Sequence, residues 1–276
     1  KKLGSKIDLL NGADYAQKEN DYRATQNAAG TQAPTFTQAE IDALRLSGGT
    51  DWQDEIYRTG ILQSHQLSVT GGTDKSKYFV SAGYLDQKGL VIESYFKRFS
   101  LRSNIDVNLT KWLKTGFNVG FVNDNGNVPP FGEGTRYVDI LGQVINAVLR
   151  MDPVTPVYDE NGNYSKSPGT YGNMDIWNPV ATVFGTYNES NRINTYLNTF
   201  LEFKILKDLT FRVTGALDVS NEGKRTYYSQ KTRNGSLSNG VGELTEDKSY
   251  YFQNSNILTY DKTIIAKHHH TLTGVY

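Results

Sequence analysis

The chain has 276 residues, 29 basic and 29 acidic side chains and a formal net charge of zero, so no long-range field draws it to nucleic acid or to an anionic surface. It contains no cysteine, which excludes disulfides, thiolate metal sites and a cysteine nucleophile. No run of about 18 apolar residues is present, which excludes a transmembrane helix, while 26 glycines, 18 tyrosines and 12 phenylalanines favour strands and side chains with one wet end.

The chain opens Lys1-Lys2-Leu3-Gly4 with no apolar signal segment behind it and stops inside an apparent strand, His270 to Tyr276, so it reads as a piece of a longer protein. Residues 1–63 read as a helical and loop-like segment. Asn11-Gly12 precedes a short helix over 13–20, Thr37-Gln38-Ala39-Glu40 is a capping box closed by Gly48-Gly49, and Thr50-Asp51-Trp52-Gln53 opens a third helix through Arg58. Helices this short are expected to pack on something else.

From Ser64 to the end the period becomes two. Phe99, Leu101, Ile105, Val107 and Leu109 alternate with Arg98, Ser100, Arg102, Asn104, Asp106 and Asn108. The same pattern recurs over 113–123, 192–205 and 209–220, and more weakly over 64–72, 77–87, 248–260 and 268–276, which makes about eight strands. Their connections alternate short and long: 73–76, 110–112, 206–208 and 261–267 are short, whereas 88–94, about 124–191 and about 221–247 are mostly longer. In an up-and-down meander that alternation gathers all the long connections on one rim, as transmembrane barrels arrange periplasmic turns and extracellular loops.

Period two alone does not say whether the apolar face looks inward or outward. Lipid is favoured by uncharged apolar faces over 99–109 and 113–121 and by aromatics near strand ends (Tyr84, Tyr95, Phe96, Trp112, Phe121, Phe203, Phe211, Tyr250, Tyr260). A loop of roughly sixty residues also suits a pore mouth better than a compact domain. The expected fold is therefore all-β: an antiparallel up-and-down transmembrane β-barrel, here a fragment of about eight strands, with short N-terminal helices and long extracellular loops.

The residues also resemble a known family. Thr50-Asp51-Trp52-Gln53-Asp54-Glu55-Ile56-Tyr57-Arg58-Thr59 leads through His65-Gln66-Leu67-Ser68-Val69-Thr70-Gly71-Gly72 to Lys77-Tyr78-Phe79 and Gly83-Tyr84-Leu85-Asp86-Gln87-Lys88-Gly89. Together with Phe96 to Asn104, Trp112 to Gly116, Asn178-Pro179-Val180-Ala181 and Leu206 to Phe211, this is similar to the early barrel of the SusC/RagA family of TonB-dependent transporters of Bacteroidetes. The resemblance implies a barrel of about 22 strands closed by a plug, with 1–63 lying after a plug that this chain lacks. It implies outer-membrane import of oligosaccharides or peptides, a SusD-like lipoprotein partner and drive from TonB with ExbB and ExbD through regions absent here. Outer-membrane lipid is the expected surroundings, and neither nucleic acid nor a cofactor is expected.

No catalytic constellation is present, so the chain reads as no enzyme. His268, His269 and His270 are successive strand residues, so at most two share a face, and no metal site is expected. Asp159-Glu160-Asn161-Gly162-Asn163 lacks the spacing of a calcium loop and reads as a tight turn. Gly132-Glu133-Gly134-Thr135 lacks the lysine of a phosphate loop. Substrate contacts are expected in the long loop from Phe131, Arg136, Tyr137, Tyr171 and Trp177, because aromatic faces stack on sugars and arginine offers planar donors. Arg98, Arg102, Asp106, Arg212 and Asp218 are expected to face the lumen and to pair with one another or with the plug. Two rival readings, a β-sandwich carbohydrate-binding or adhesin module and a passive porin, share the strand pattern.

Overall fold

A computed structural model describes residues 4–26, 34–128, 144–167, 176–264 and 268–276. Three helices come first: α1 (Gly12–Gln26), α2 (Gln38–Ser47) and α3 (Trp52–Ile56). The first runs to Gln26, past the expected end near residue 20, with Asn11 Oδ1 accepting from Asp14 N–H at 2.9 Å. The capping box forms, with Thr37 Oγ1 accepting from Glu40 N–H and Thr37 N–H donating to Glu40, and Gly48 ends α2 at φ 79°. Asp51 caps α3 by accepting from the amides of Gln53 and Asp54. That helix stops at Ile56, short of Arg58, because Tyr57 pairs with Val91 as an isolated bridge.

Eight strands follow: β1 (Leu62–Gly72), β2 (Ser76–Lys88), β3 (Tyr95–Asn108), β4 (Leu113–Asn127), β5 (Thr186–Leu206), β6 (Leu209–Tyr228), β7 (Val241–Ile264) and β8 (His268–Val275). They form one sheet in the order β1 to β8, every neighbouring pair antiparallel, so the meander has the expected topology. Residues 73–75, 109–112 and 207–208 make a rim of tight turns, and 89–94, 128–185 and 229–240 make the opposite, loop rim. The connection at 265–267 lies outside the described residues.

Strand ends near the loop rim correct the sequence reading. The 124–191 loop shrinks to 128–185 and the 221–247 connection to 229–240, because β5, β6 and β7 run for 21, 20 and 24 residues. Hydrophobic alternation ends near Ile193, Val219 and Tyr250, yet the backbone ladder continues through the polar pairs Glu189↔Arg225, Arg192↔Glu222 and Thr226↔Glu243. Hydrogen bonding carries these extensions without any apolar face, so periodicity cannot reveal them.

The two faces of the sheet differ as the pattern requires. Tyr78, Val80, Phe99, Leu101, Phe117, Val119, Leu201 and Val213 share one face by register, and Arg98, Arg102, Lys114, Glu202 and Arg212 share the other. No second layer covers the apolar face among the described residues: Phe99 is 44% exposed, Leu101 42% and Phe117 47%. At the turn rim Trp112, Phe203 and Phe211 stack in a row, with centroids 6.3 and 6.5 Å apart.

Dry packing is found instead at the loop rim. Helices α4 (Val144–Arg150) and α5 (Pro179–Gly185), both within the β4–β5 connection, join α3 and the 89–94 connection around Trp52, Ile56, Val91, Val144, Val148, Met151, Val180 and Val183. Trp52 Nε1 donates to the Asp152 carbonyl at 2.9 Å, and the Thr50 amide donates to the Pro153 carbonyl at 2.8 Å. A smaller cluster of Ala13, Ala16 and Ile41 joins α1 to α2. The N-terminal helices thus sit on the loop rim, and their packing partner is the long connection itself.

Candidate functional site

On the polar face, cross-strand register converts scattered charges into rows. Near the loop rim Arg98, Asp124, Arg192 and Glu222 stand on successive strands β3 to β6. Arg98 grips Asp124 with two hydrogen bonds of 2.6 and 2.7 Å, and Arg192 donates to Glu222. Near the turn rim Lys114 meets Asp106 at 3.0 Å and Arg212 meets Glu202 at 3.5 Å. These pairs are solvent-exposed, so each contributes about 0–1 kcal/mol; their main effect is to neutralise the wall locally.

Between the rows lies an aromatic floor. Gly116 and Gly120 of β4 face the same side as Phe200 and Tyr196 of β5, which fold back over them. A Cβ on Gly120 would lie 2.0 Å from the Tyr196 ring, and one on Gly116 would lie 2.4 Å from Phe200, so only glycine admits both rings. Arg102 reaches over Gly120 from β3 and donates to Tyr196 Oη at 3.0 Å. Arg212 stacks on Phe200 with its guanidinium carbon 3.7 Å from the ring centroid.

The sequence-predicted charges all fall on this face, but none of the five pairs with another of the five. Arg98, Asp106 and Arg212 take Asp124, Lys114 and Glu202. Arg102 and Asp218 have no ion-pair partner among the described residues; Arg102 bonds to a neutral phenol, and Asp218 is exposed opposite Tyr196. Sequence reasoning missed Tyr196, Phe200 and the two glycines. Glycines four apart on the polar face of β4, followed by aromatics four apart on β5, were the available signal.

Of the five loop residues, Phe131, Arg136, Tyr137 and Tyr171 lie outside the described residues. Trp177 is half-buried next to the α5 cap Asn178, with Lys166 Nζ 4.2 Å from its ring centroid. The segment around Asp159 is a tight turn: the Asp159 carboxylate accepts from the Asn161 and Asn163 amides at 2.9 and 2.8 Å, and Gly162 adopts φ 78°. His269 of β8 lies 3.1 Å from Asp261. The loop rim also holds a cleft of about 690 Å³ lined by Lys6, Leu10, Tyr15, Thr50, Trp52 and Arg150 among others. At its edge Lys6 bonds to Asp51 at 2.9 Å. Burial tends to raise the Asp51 carboxyl, but Lys6 and the capped amides outweigh it and hold it below its usual range, while Lys6 is raised by its bonds to Asp54 and Asp51.

No protein-family model matches the chain. It is 29% identical to TonB-dependent receptor P3 of Formosa agariphila over 99% of this chain and 25% of that protein. It is 34% identical to the TonB-dependent receptor SusC of Bacteroides thetaiotaomicron over 47% of this chain and 12% of that protein. The chain therefore spans a quarter or less of these curated relatives, which are receptors and not enzymes. Among solved structures, its fold superposes on the RagAB peptide importer in the closed-closed state with a TM-score of 0.72 at 20% identity, covering 100% of this chain and 33% of that one. The RagAB peptide transporter gives a TM-score of 0.71 at 20% identity, covering 99% and 32%. Sequence relatives and fold neighbours bear out the resemblance: over the part of their length that it spans, the chain is similar to TonB-dependent receptors including SusC and shares the fold of the RagAB barrel wall, consistent with a partial chain of the SusC/RagA family.

Proposed function

We propose that the chain forms part of the wall of an outer-membrane importer driven by TonB with ExbB and ExbD. In this reading the apolar face meets lipid, the polar face lines the lumen, the turn rim is periplasmic and the loop rim is extracellular. The observation that carries it is the exposed apolar face, uncharged across Phe99, Leu101, Phe117 and Val119 and bounded at the turn rim by the Trp112–Phe203–Phe211 row. A β-sandwich module would need a second sheet over Phe99, Leu101 and Phe117, and a passive porin would not share its wall with TonB-dependent receptors.

Residues 1–63 and the 128–185 connection together cap the extracellular mouth, where a SusD-like lipoprotein would close over them and Trp177 would help meet an oligosaccharide or peptide. TonB acts through regions outside this chain. Cell fractionation and uptake test the proposal together. Deleting the gene should abolish energised uptake of the cognate oligosaccharide or peptide, and deleting TonB should do the same. Recovery of the protein in the soluble periplasm, or uptake indifferent to TonB, would sink it.

A further inference from the structure

Most of the charge on the polar face is answered within the wall, by Arg98–Asp124, Arg192–Glu222, Lys114–Asp106 and Arg212–Glu202. The turn rim departs from that rule. Beside Trp112, the connections 109–112 and 207–208 border a hollow of about 460 Å³ lined by Lys111, Lys114, Lys204 and Lys207. Local bonding sets this convergence. Thr110 Oγ1 accepts from the Trp112 and Leu113 amides at 3.2 and 3.0 Å and closes the first turn. Lys204 N–H donates to the Trp112 carbonyl at 2.8 Å and holds β5 against that turn.

Lys114 is taken by Asp106, whereas Lys111, Lys204 and Lys207 are exposed and have no ion-pair partner among the described residues. Glu202, Asp208 and Asp261 also line the hollow. Glu202 is taken by Arg212 and Asp261 faces His269 at 3.1 Å, so the three lysines outnumber the carboxylates left to them. Apolar side chains fringe the same edge: Leu109, Trp112, Ile205 and Leu206 are each more than half exposed.

We propose that this hollow seats the phosphate of an anionic phospholipid from the periplasmic leaflet. The lysine ammoniums take the phosphate oxygens, and the acyl chains run up the apolar face past Leu109, Trp112 and Ile205. A soluble anion would answer the lysines but leave the apolar fringe in water, and an uncharged lipid would do the reverse. An amphiphile with a net anionic head answers both. The proposal rests on the orientation given above, in which the apolar face meets lipid, and it names the lipid that collects at one edge.

The test uses the native receptor in phosphatidylcholine vesicles holding a minor share of brominated phosphatidylglycerol, with brominated phosphatidylcholine at the same share as reference. Bromine quenches nearby indoles, and the part of the fluorescence that Trp112→Phe removes reports this edge. That part should be quenched more strongly by the anionic lipid. Lys111→Gln, Lys204→Gln and Lys207→Gln should each lower the relative affinity for phosphatidylglycerol about fivefold. Molar salt should weaken the preference of the native protein. Lys18→Gln, exposed on α1 at the opposite rim, should leave it unchanged. Retained heat-modifiable migration on gels confirms that each variant keeps its barrel. The idea is overturned if the two lipids quench the Trp112 signal alike, if the three variants keep the native preference, or if Lys18→Gln lowers it as much. It is also overturned if inorganic phosphate abolishes the preference where chloride of equal ionic strength does not, since the hollow then holds a free anion. In each of these cases TonB-dependent uptake would still stand, whereas no quenching by either lipid would remove both readings.

Discussion

Replacing Gly120 with alanine probes how the wall holds its aromatic floor. The new Cβ would lie 2.0 Å from Tyr196 Cζ and 2.1 Å from Cε1, inside any tolerable contact, so the ring must leave. Overpacking of this kind costs about 1–3 kcal/mol. The Arg102–Tyr196 bond is lost with it, which adds at most about 1 kcal/mol because Arg102 is exposed. A destabilisation of about 2 kcal/mol is expected in urea unfolding of the native protein in phospholipid vesicles, followed by tryptophan fluorescence. With Tyr196→Ala already present, the clash has no partner, and Gly120→Ala should be neutral or gain about 0.5 kcal/mol from lower unfolded-state entropy. The cycle should therefore show a coupling near 2 kcal/mol. Gly223→Ala is the control, since nothing lies within 4 Å of its added Cβ. Equal costs of Gly120→Ala with and without Tyr196 would refute the packing account.

Trp52→Ala removes the largest side chain of the rim core and its bond to Asp152; a local loss of about 3–5 kcal/mol should expose 144–167 to limited proteolysis while strand circular dichroism persists. Leu101→Arg should cost about 2–4 kcal/mol on refolding into phospholipid vesicles, and Ser100→Arg on the polar face under about 1 kcal/mol; similar costs at both positions would contradict a lipid-facing apolar surface. Arg98→Gln should cost below about 1 kcal/mol, and less still in high salt. The Glu40 carboxyl is held low by the Thr37 amide and hydroxyl, and Asp51 is low because Lys6 and two amides overcome its burial. Carboxyls lowered in the folded state stabilise it above their ordinary values of 4.5 and 3.8, and that stabilisation fades as pH falls through the lowered ones. Protection factors of the amides over 38–56, corrected for intrinsic exchange, should therefore be high near about pH 6 and fall near about pH 3, whereas protection that rises in acid would refute the sign.

Much of the architecture was legible because it is local. Alternation over 95–109 and 113–123, the tight turn at 110–112 and the Thr37 box each depend on residues within a few positions, and each formed where the sequence placed it. The upper halves of β5, β6 and β7 were not legible, because Asn188 to Arg192 and Glu222 to Thr226 present polar side chains on both faces and are held by the backbone ladder and cross-strand polar pairs such as Arg192–Glu222. Their pattern is that of a loop.

What the sequence alone determined, then, was the set of strands, their faces and the sorting of long and short connections onto opposite rims, all consequences of period two and chain direction. Tertiary structure decided which charge meets which: Arg98 finds Asp124 26 positions away, and Arg102 finds Tyr196 94 positions away across a glycine. It also decided that Trp52 packs against a connection 100 residues downstream. Such partners are set by strand register and by the return of a long excursion, and no local pattern encodes either.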